Sequence, residues 1–336
     1  MNSRKSPVDL LFVIAPHSLL LDIAGPAEAF RLANLQLSYR KQPPHFRLRY
    51  AGPEPHAVSS VGLPLELEPL PKSLGAATWV VVVGQPSVHA GELSPEIHAI
   101  AQWLRRALHE PLAAPGTRNR LVTVCSGSLI AARAGLLDQR QCTSHHDMLD
   151  MLRSLAPRAQ VIDNRVFVID GPVASSAGVT AGIDLALHLI AEECGEALAA
   201  AVAEDLVVYL RRSHRDPELS PFLAHRRHVH SAVHRVQEAV STEPERDWTM
   251  PAMARVGHVT ERHLLRLFVR HAGVSPLQFL RAVRLERARQ LIERGTAIGT
   301  AAEEAGFRSA LHMRRAWVKQ WGGSPRDVRP PAVVAL

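Results

Sequence analysis

The 336 residues exceed what one hydrophobic core usually holds, so two domains are expected. At 46% apolar and 21% charged, with no apolar run of the ~18–20 residues a membrane helix needs and three cysteines lacking a C-x-x-C pair, the composition excludes a membrane span, a disulfide framework and a cysteine-rich zinc site. The net charge of +7 is unevenly placed, because residues 225–336 carry 19 Lys/Arg against 10 Asp/Glu while residues 1–224 carry 20 against 22, and a basic C-terminal part of this kind fits nucleic acid.

The basic start at residues 1–6 leads into an apolar run over residues 8–15. Asp9 interrupts the run and no A-x-A site follows closely, so it reads as a first core strand rather than a signal peptide, and a reducing cytoplasm is expected. Further strands are expected over residues 46–51, 78–83 and 121–124, with strand then turn over 165–171. The β-branched run Val80–Val83 suits a strand buried on both faces. Amphipathic stretches over 22–35 and 94–108, and a helix over 180–194, alternate with these strands. The order predicts an α/β domain with a mainly parallel sheet.

At Val124, Cys125, Ser126, Gly127 and Ser128 a strand ends and small residues open a helix. This is the pattern of a nucleophile elbow, in which the tight turn needs small neighbours and the helix N-terminus favours a thiolate. A buried cysteine acting as a small hydrophobe fits the same local sequence. The phrases over 21–30, 124–127, 143–145 and 175–184 resemble the PfpI branch of the class I glutamine amidotransferase-like fold, over roughly residues 8–195. The resemblance implies a flavodoxin-like sandwich, Glu28 of the first helix beside Cys125, and His145 facing the pocket. Asp184 is a further candidate to approach it. This chain has Ser126 where the PfpI proteases carry a histidine, so no general base is evident beside Cys125. A pocket that binds a small molecule, with Glu28, Cys125, Ser126 and His145 as ligand-binding or vestigial catalytic residues, is the expectation. Its rival is a Cys125-dependent hydrolase or amidase-like enzyme.

Other histidines carry less. His145 and His146 are adjacent and are expected to point apart, a poor chelating pair. Between residues 213 and 234, His214, His225, His228, His230 and His234 lie among arginines, with Pro217 and Pro221. A polar basic connector is favoured over a metal site there. No metal and no cofactor are expected.

The last third contains two helix–turn–helix patterns joined by a long helix. A helix over 231–241 opens the domain. Thr249 then caps a short helix with Pro251 in its first turn, Gly257 suits a left-handed stop, and Thr260 caps the next helix, 260–271. Leu264, Leu267 and Phe268 form its buried stripe, leaving Arg262, His263, Arg266 and Arg270 elsewhere around it. A helix with an apolar back and a basic front suits the DNA major groove. Residues 276–292 read as one connecting helix. The second unit repeats the plan: residues 300–307, a turn, Ser309 as cap, and Leu311 or His312, Met313, Ala316 and Trp317 as the packing stripe, with Arg308, Arg314, Arg315 and Lys319 supplying charge. Each unit closes on Gly-x-Ser-Pro, at 273–276 and 322–325.

Residues 232–330 resemble the AraC family DNA-binding domain, on the phrase over 302–309 and the following Gly-x-Ser-Pro. Met313 and Trp317 stand where that family usually has Phe, and Gly323 where Val is usual, so the second unit departs in its packing. Together with the front part, the chain resembles the GlxA-type branch of AraC regulators. The expected organisation is a ligand-sensing, dimerising domain over 1–205, a linker over 206–230 and a DNA-binding domain over 231–330. The resemblance implies a homodimeric regulator that binds double-stranded DNA through Arg262, His263, Arg266, Arg308, Ser309, Arg314 and Arg315. It also implies RNA polymerase as a further partner and a small effector of the amino-acid or quaternary-amine class.

Overall fold

The computed structural model describes residues 6–85, 94–208, 225, 230–293 and 295–327. The chain forms two compact units, Met1–Glu218 and Leu219–Leu336. The connector expected over 206–230 lies largely outside the described residues, with His214 and His228.

The front unit is a twisted sheet between two layers of helices. Its strands are β1 (Val8–Val13), β2 (Phe46–Gly52), β3 (His56–Val58), β4 (Pro64–Glu66), β5 (Glu68–Pro69), β6 (Thr78–Val82), β7 (Arg120–Val124), β8 (Gln141–Cys142), β9 (Gln160–Val161), β10 (Phe167–Asp170) and β11 (Val173–Ser176). The seven-stranded sheet has the order β10-β11-β7-β6-β1-β2-β5, parallel except for the β10–β11 pair. All five residues of β6 are buried, as its β-branched run requires. Side chains alternate across the sheet. Leu10 and Phe12 join the core under α1 (Leu20–Tyr39), α5 (Thr180–Cys194) and α6 (Glu196–Asp205), whereas Leu11 and Val13 join the one under α2 (Pro95–Ala113) and α3 (Gly127–Arg133). A short α4 (Leu149–Leu155) lies with the second group.

The back unit is helical: α7 (Ser231–Thr242), α8 (Met250–Gly257), α9 (Glu261–Ala272), α10 (Pro276–Glu293), α11 (Ile298–Glu304) and α12 (Ala310–Trp321). The caps follow from side-chain chemistry. Thr249, Thr260 and Ser309 each accept the N–H three residues on, from Ala252, His263 and His312. Ser275 and Gln278 exchange reciprocal bonds at the start of α10, a capping box. The left-handed stop of α8 falls on His258 (φ 54°), not on Gly257, which is the last, buried residue of the helix. Gly257 is small for a different reason: a Cβ there would sit 3.3–3.4 Å from Val236, Val259 and Leu264.

Two cores divide the back unit along α10. Phe279, Leu280 and Val283 pack with α7, α8 and α9, and Leu285, Ala288 and Ile292 pack with α11 and α12. At 18 residues and ~1.5 Å per residue, α10 is about 27 Å long. It therefore carries one side of both units.

Candidate functional site

The elbow is formed as its sequence requires. Cys125 sits between β7 and α3 at φ 57°, a left-handed conformation that puts a non-glycine residue at the sharp turn. Gly127 lets α3 start against β6, since a Cβ there would fall 2.2 Å from the Val82 carbonyl oxygen. Two more glycines wall the thiol. A Cβ on Gly178 would lie 2.3 Å from Cys125 Cβ and 2.8 Å from its Sγ, and one on Gly84 would lie 2.8 Å from Cys125 Cβ. The cysteine is buried at 6% exposure.

The carboxyl group at this cysteine is Asp22, not Glu28. Asp22 is fully buried; Oδ1 accepts the Val179 N–H at 2.8 Å, and Oδ2 lies against Gly84. Burial raises its pKa, against the opposing pull of the polar groups that face it, the Val179 and Gly84 backbone and the Cys125 side chain. Glu28 lies six residues further along α1, about 600° around a helix at ~100° per residue, and so turns off the elbow. It pairs with Arg31 instead, which lowers its pKa. Glu28 and Arg31 line a separate, largely apolar cleft of about 800 Å³ with Leu21, Leu48, Tyr50, Leu65 and Ile183.

The other two front-domain candidates also have defined places. Ser126 Oγ is buried and committed to the backbone of Gln85, accepting its N–H at 2.8 Å and donating to its carbonyl at 3.0 Å. It anchors the loop after β6 to the elbow rather than offering a nucleophile. Ser144, the residue before His145, donates to the Cys125 carbonyl at 3.0 Å. The rings of His145 and His146 do not point apart; their centroids are 4.0 Å from one another. His145 caps a single 3₁₀ turn that begins at His146, its ring accepting the Asp147 N–H. Ligand atoms of His145, His146 and Asp147 lie within 4.8 Å of one another. Asp184 is buried on α5.

In the back unit, α9 buries Leu264, Leu267, Phe268 and Ala272 and turns Arg262, Leu265, Arg266, Val269 and Arg270 to solvent. His263 is half-buried, and its Nδ1 meets Arg266 Nη2 at 3.0 Å, so it positions that guanidinium as much as it faces outward. Helix α12 buries Met313, Ala316 and Trp317 and exposes His312, Arg314, Arg315 and Lys319. Leu311 or His312 was expected in the packing stripe, but both are exposed, Leu311 at 56%; Arg308 and Ser309 are exposed at the helix start. Ser309 Oγ already accepts the His312 N–H, leaving its hydroxyl proton and one lone pair for a ligand.

Both faces thus combine guanidinium groups with bare aliphatic side chains: Leu265 and Val269 on α9, Leu311 and Val318 on α12. Sequence reasoning missed these four. Their signal was present, since Leu265 and Val269 fall off the Leu264–Leu267–Phe268 stripe. Guanidinium forks suit guanine edges and phosphates, and exposed aliphatics suit the thymine methyl. Asp22 was also missed, although an acid in an apolar helix start was visible.

The chain matches two family models, a helix-turn-helix domain over residues 253–330 and the DJ-1/PfpI family over residues 111–192. It is 29% identical over 330 residues to the HTH-type transcriptional regulator GbdR of Pseudomonas aeruginosa, covering 97% of this chain and 85% of GbdR. It is 29% identical over 328 residues to the regulator CdhR of the same organism, covering 96% and 91%. With the regulator GlxA of Rhizobium meliloti it shares 31% identity over 211 residues, 62% of this chain and 65% of GlxA.

Proposed function

We propose, for a DNA-binding transcriptional regulator that joins a DJ-1/PfpI-type domain to an AraC-type helix–turn–helix domain, that the front domain is a non-catalytic receptor for a small metabolite. The back domain grips DNA through Arg262, His263 and Arg266 on one unit and Arg308, Ser309, Arg314 and Arg315 on the other. The observation that carries this reading is the pair of capped helices, each with a buried apolar back and an exposed front of arginine and aliphatic side chains, joined to one rigid helix. Residues 1–205 serve as the receptor and 231–330 as the DNA grip, in a cytoplasmic homodimer that acts with RNA polymerase. Two copies place four such helices on paired half-sites.

The receptor role rests on the elbow. Ser126 is spent on the Gln85 backbone, and the acid against Cys125 is buried and pushed toward its neutral form. A nucleophile needs a base beside it that accepts its proton, and Ser126 stands where the PfpI proteases carry that histidine. The effector site lies at the carboxyl ends of β1, β6 and β7, around Cys125 and His145, where open α/β sheets take their ligands. Glu28 belongs to the adjoining apolar cleft. The effector class is an amino acid or quaternary amine, and binding shifts the protein between states that differ in affinity for DNA. A gel-shift on the upstream region of its own gene tests the regulator. Specific binding that weakens with salt is expected; no binding above that of a scrambled duplex refutes it.

A further inference from the structure

Gly306 occupies the turn between α11 and α12 at φ 83°, a left-handed residue of the kind helix C-termini favour. Left-handed backbone alone does not demand glycine here. In the first unit His258 takes the same place with φ 54° and an exposed side chain. What Gly306 has, and His258 lacks, is another segment pressed on its Cα. A Cβ on Gly306 would fall 2.6 Å from Glu245 Cα, 2.8 Å from the Pro244 carbonyl oxygen and 2.9 Å from Arg284 Nε.

Those neighbours belong to the first unit and to the helix between the units. The loop from Glu243 to Trp248 joins α7 to α8, and it is tightly built. The Trp248 indole N–H donates to the Glu243 carbonyl at 2.8 Å, and the Arg246 guanidinium lies 4.9 Å from the Trp248 ring centroid. Trp248 itself is buried in the first core. Arg284 holds this loop by donating from Nε to the Pro244 carbonyl and from Nη2 to the Arg246 carbonyl, both at 2.7 Å. Along α10, Arg284 stands between Val283, which packs in the first core, and Leu285, which packs in the second. On the other side Gly306 runs directly into Phe307, a member of the second core. Besides α10 itself, the two cores are therefore linked by backbone packed against backbone at Gly306 and by the bidentate clasp of Arg284.

We propose that Gly306, the Pro244–Arg246 loop and Arg284 form a fixed joint between the two helix–turn–helix units, and that this joint makes the domain measure the spacing of the two DNA stretches it reads. Arg284 and Gly306 are positioning residues: neither touches DNA in this scheme, and both set where α12 stands relative to α9. The proposal rests on the reading that both units grip DNA. One inserted base pair shifts the second stretch by ~3.4 Å and rotates it by ~34°. A rigid joint does not follow that change; a loosened one does.

The probe is a duplex selected from a randomised library by the full-length wild-type protein, together with versions carrying one or two base pairs added or removed between the two contacted stretches. The wild type is expected to lose affinity on the order of 10-fold for one base pair of displacement, the scale of a mismatched site. Arg284→Met removes the clasp without adding bulk. It should bind the original duplex more weakly and show a displacement penalty reduced to under about 3-fold, because the second unit can reorient. Gly306→Ala should do the same, and Arg284→Lys, which cannot hold two carbonyls in the same fork, should fall between. A uniform loss at every spacing with an unchanged penalty ratio in Arg284→Met would overturn the proposal. Hydrogen exchange on the DNA-free full chain gives an independent readout. Arg284→Met should speed exchange in α11 and α12 and leave α7–α9 protected; equal exchange in wild type and variant would also overturn it. Failure to select any duplex would count against DNA binding itself, while the exchange experiment would still decide the joint.

Discussion

Replacing Glu286 with Ala should destabilise the second helix–turn–helix unit far more than its single charge suggests. Glu286 and Arg289 lie on α10 with side chains only 4% and 9% exposed. The carboxylate accepts from Arg289 Nε at 3.2 Å and Nη2 at 2.7 Å, and from the Gln290 amide at 3.1 Å. Removing it strips a buried guanidinium of its main counter-charge, leaving Arg289 Nη1 on Glu293 at 2.5 Å. Breaking a buried pair from one side costs about 3 kcal/mol or somewhat more. For a unit of this size, at ~4–8 °C per kcal/mol, the midpoint of the back domain should fall by roughly 12–24 °C. Replacing both partners, as Glu286→Leu with Arg289→Met, should recover most of that loss, to within about 1 kcal/mol of wild type, since no buried charge is then left uncompensated. Differential scanning calorimetry of the full chain follows the transition. If Glu286→Ala melts with the wild type, or if the double variant is no better than the single, the two side chains are not a buried, mutually dependent pair.

Three further outcomes are expected. Arg262→Ala with Arg266→Ala should flatten the plot of log affinity against log salt by about 0.9 for each phosphate no longer neutralised, and should add ~1–3 kcal/mol of specificity loss for each residue that meets a base; fluorescence anisotropy between low and moderate salt measures both. Asp22→Asn should alter the pH dependence of front-domain stability. Burial raises the folded pKa of Asp22 above the ordinary aspartate value of 3.8, so its contribution is fully present below the unfolded pKa and is lost as pH rises through the folded one. The amide keeps an acceptor for the Val179 N–H, so the variant should gain on the wild type as pH increases above about 4, at ~1.4 kcal/mol for each pH unit by which the pKa is raised; parallel melting curves from pH 4 to 7 would refute this sign. Cys125→Ala should leave DNA affinity unchanged, and a substrate turned over by the wild type but not by this variant would establish the enzyme reading instead.

Much of this architecture is written locally in the chain. The run Val80–Val83 announces a strand buried on both faces, and α5 begins and ends where its sequence suggests, because apolar continuity and helical periodicity are local properties. The caps Thr249, Thr260 and Ser309 are equally local. Strand β11 was not legible. Its residues Val173, Ala174, Ser175 and Ser176 lack an apolar run, and they are buried because Ser175 Oγ accepts the Thr143 N–H and β7 and β10 flank them, contacts distant in sequence. The elbow was legible from its small residues, but its acid was not. Asp22 and Glu28 differ by about 120° around α1, and which one meets Cys125 depends on how the helix packs on the sheet. Ser126 looked chemical in sequence and is structural in place, because its partner Gln85 is 41 residues away. Gly257 and His258 exchanged roles for a similar reason: close packing against Val236 and Leu264 outweighed the left-handed preference of glycine.

The outward faces of α9 and α12 are proposed to read successive stretches of the same DNA groove. Guanine N7 methylation protection on a duplex selected by the full-length protein tests this most directly. Two protected patches are expected, centred about one helical turn apart, ~10–10.5 base pairs, with Arg314→Ala and Arg315→Ala together abolishing one patch and sparing the other. A single protected patch that is indifferent to those two substitutions would contradict it.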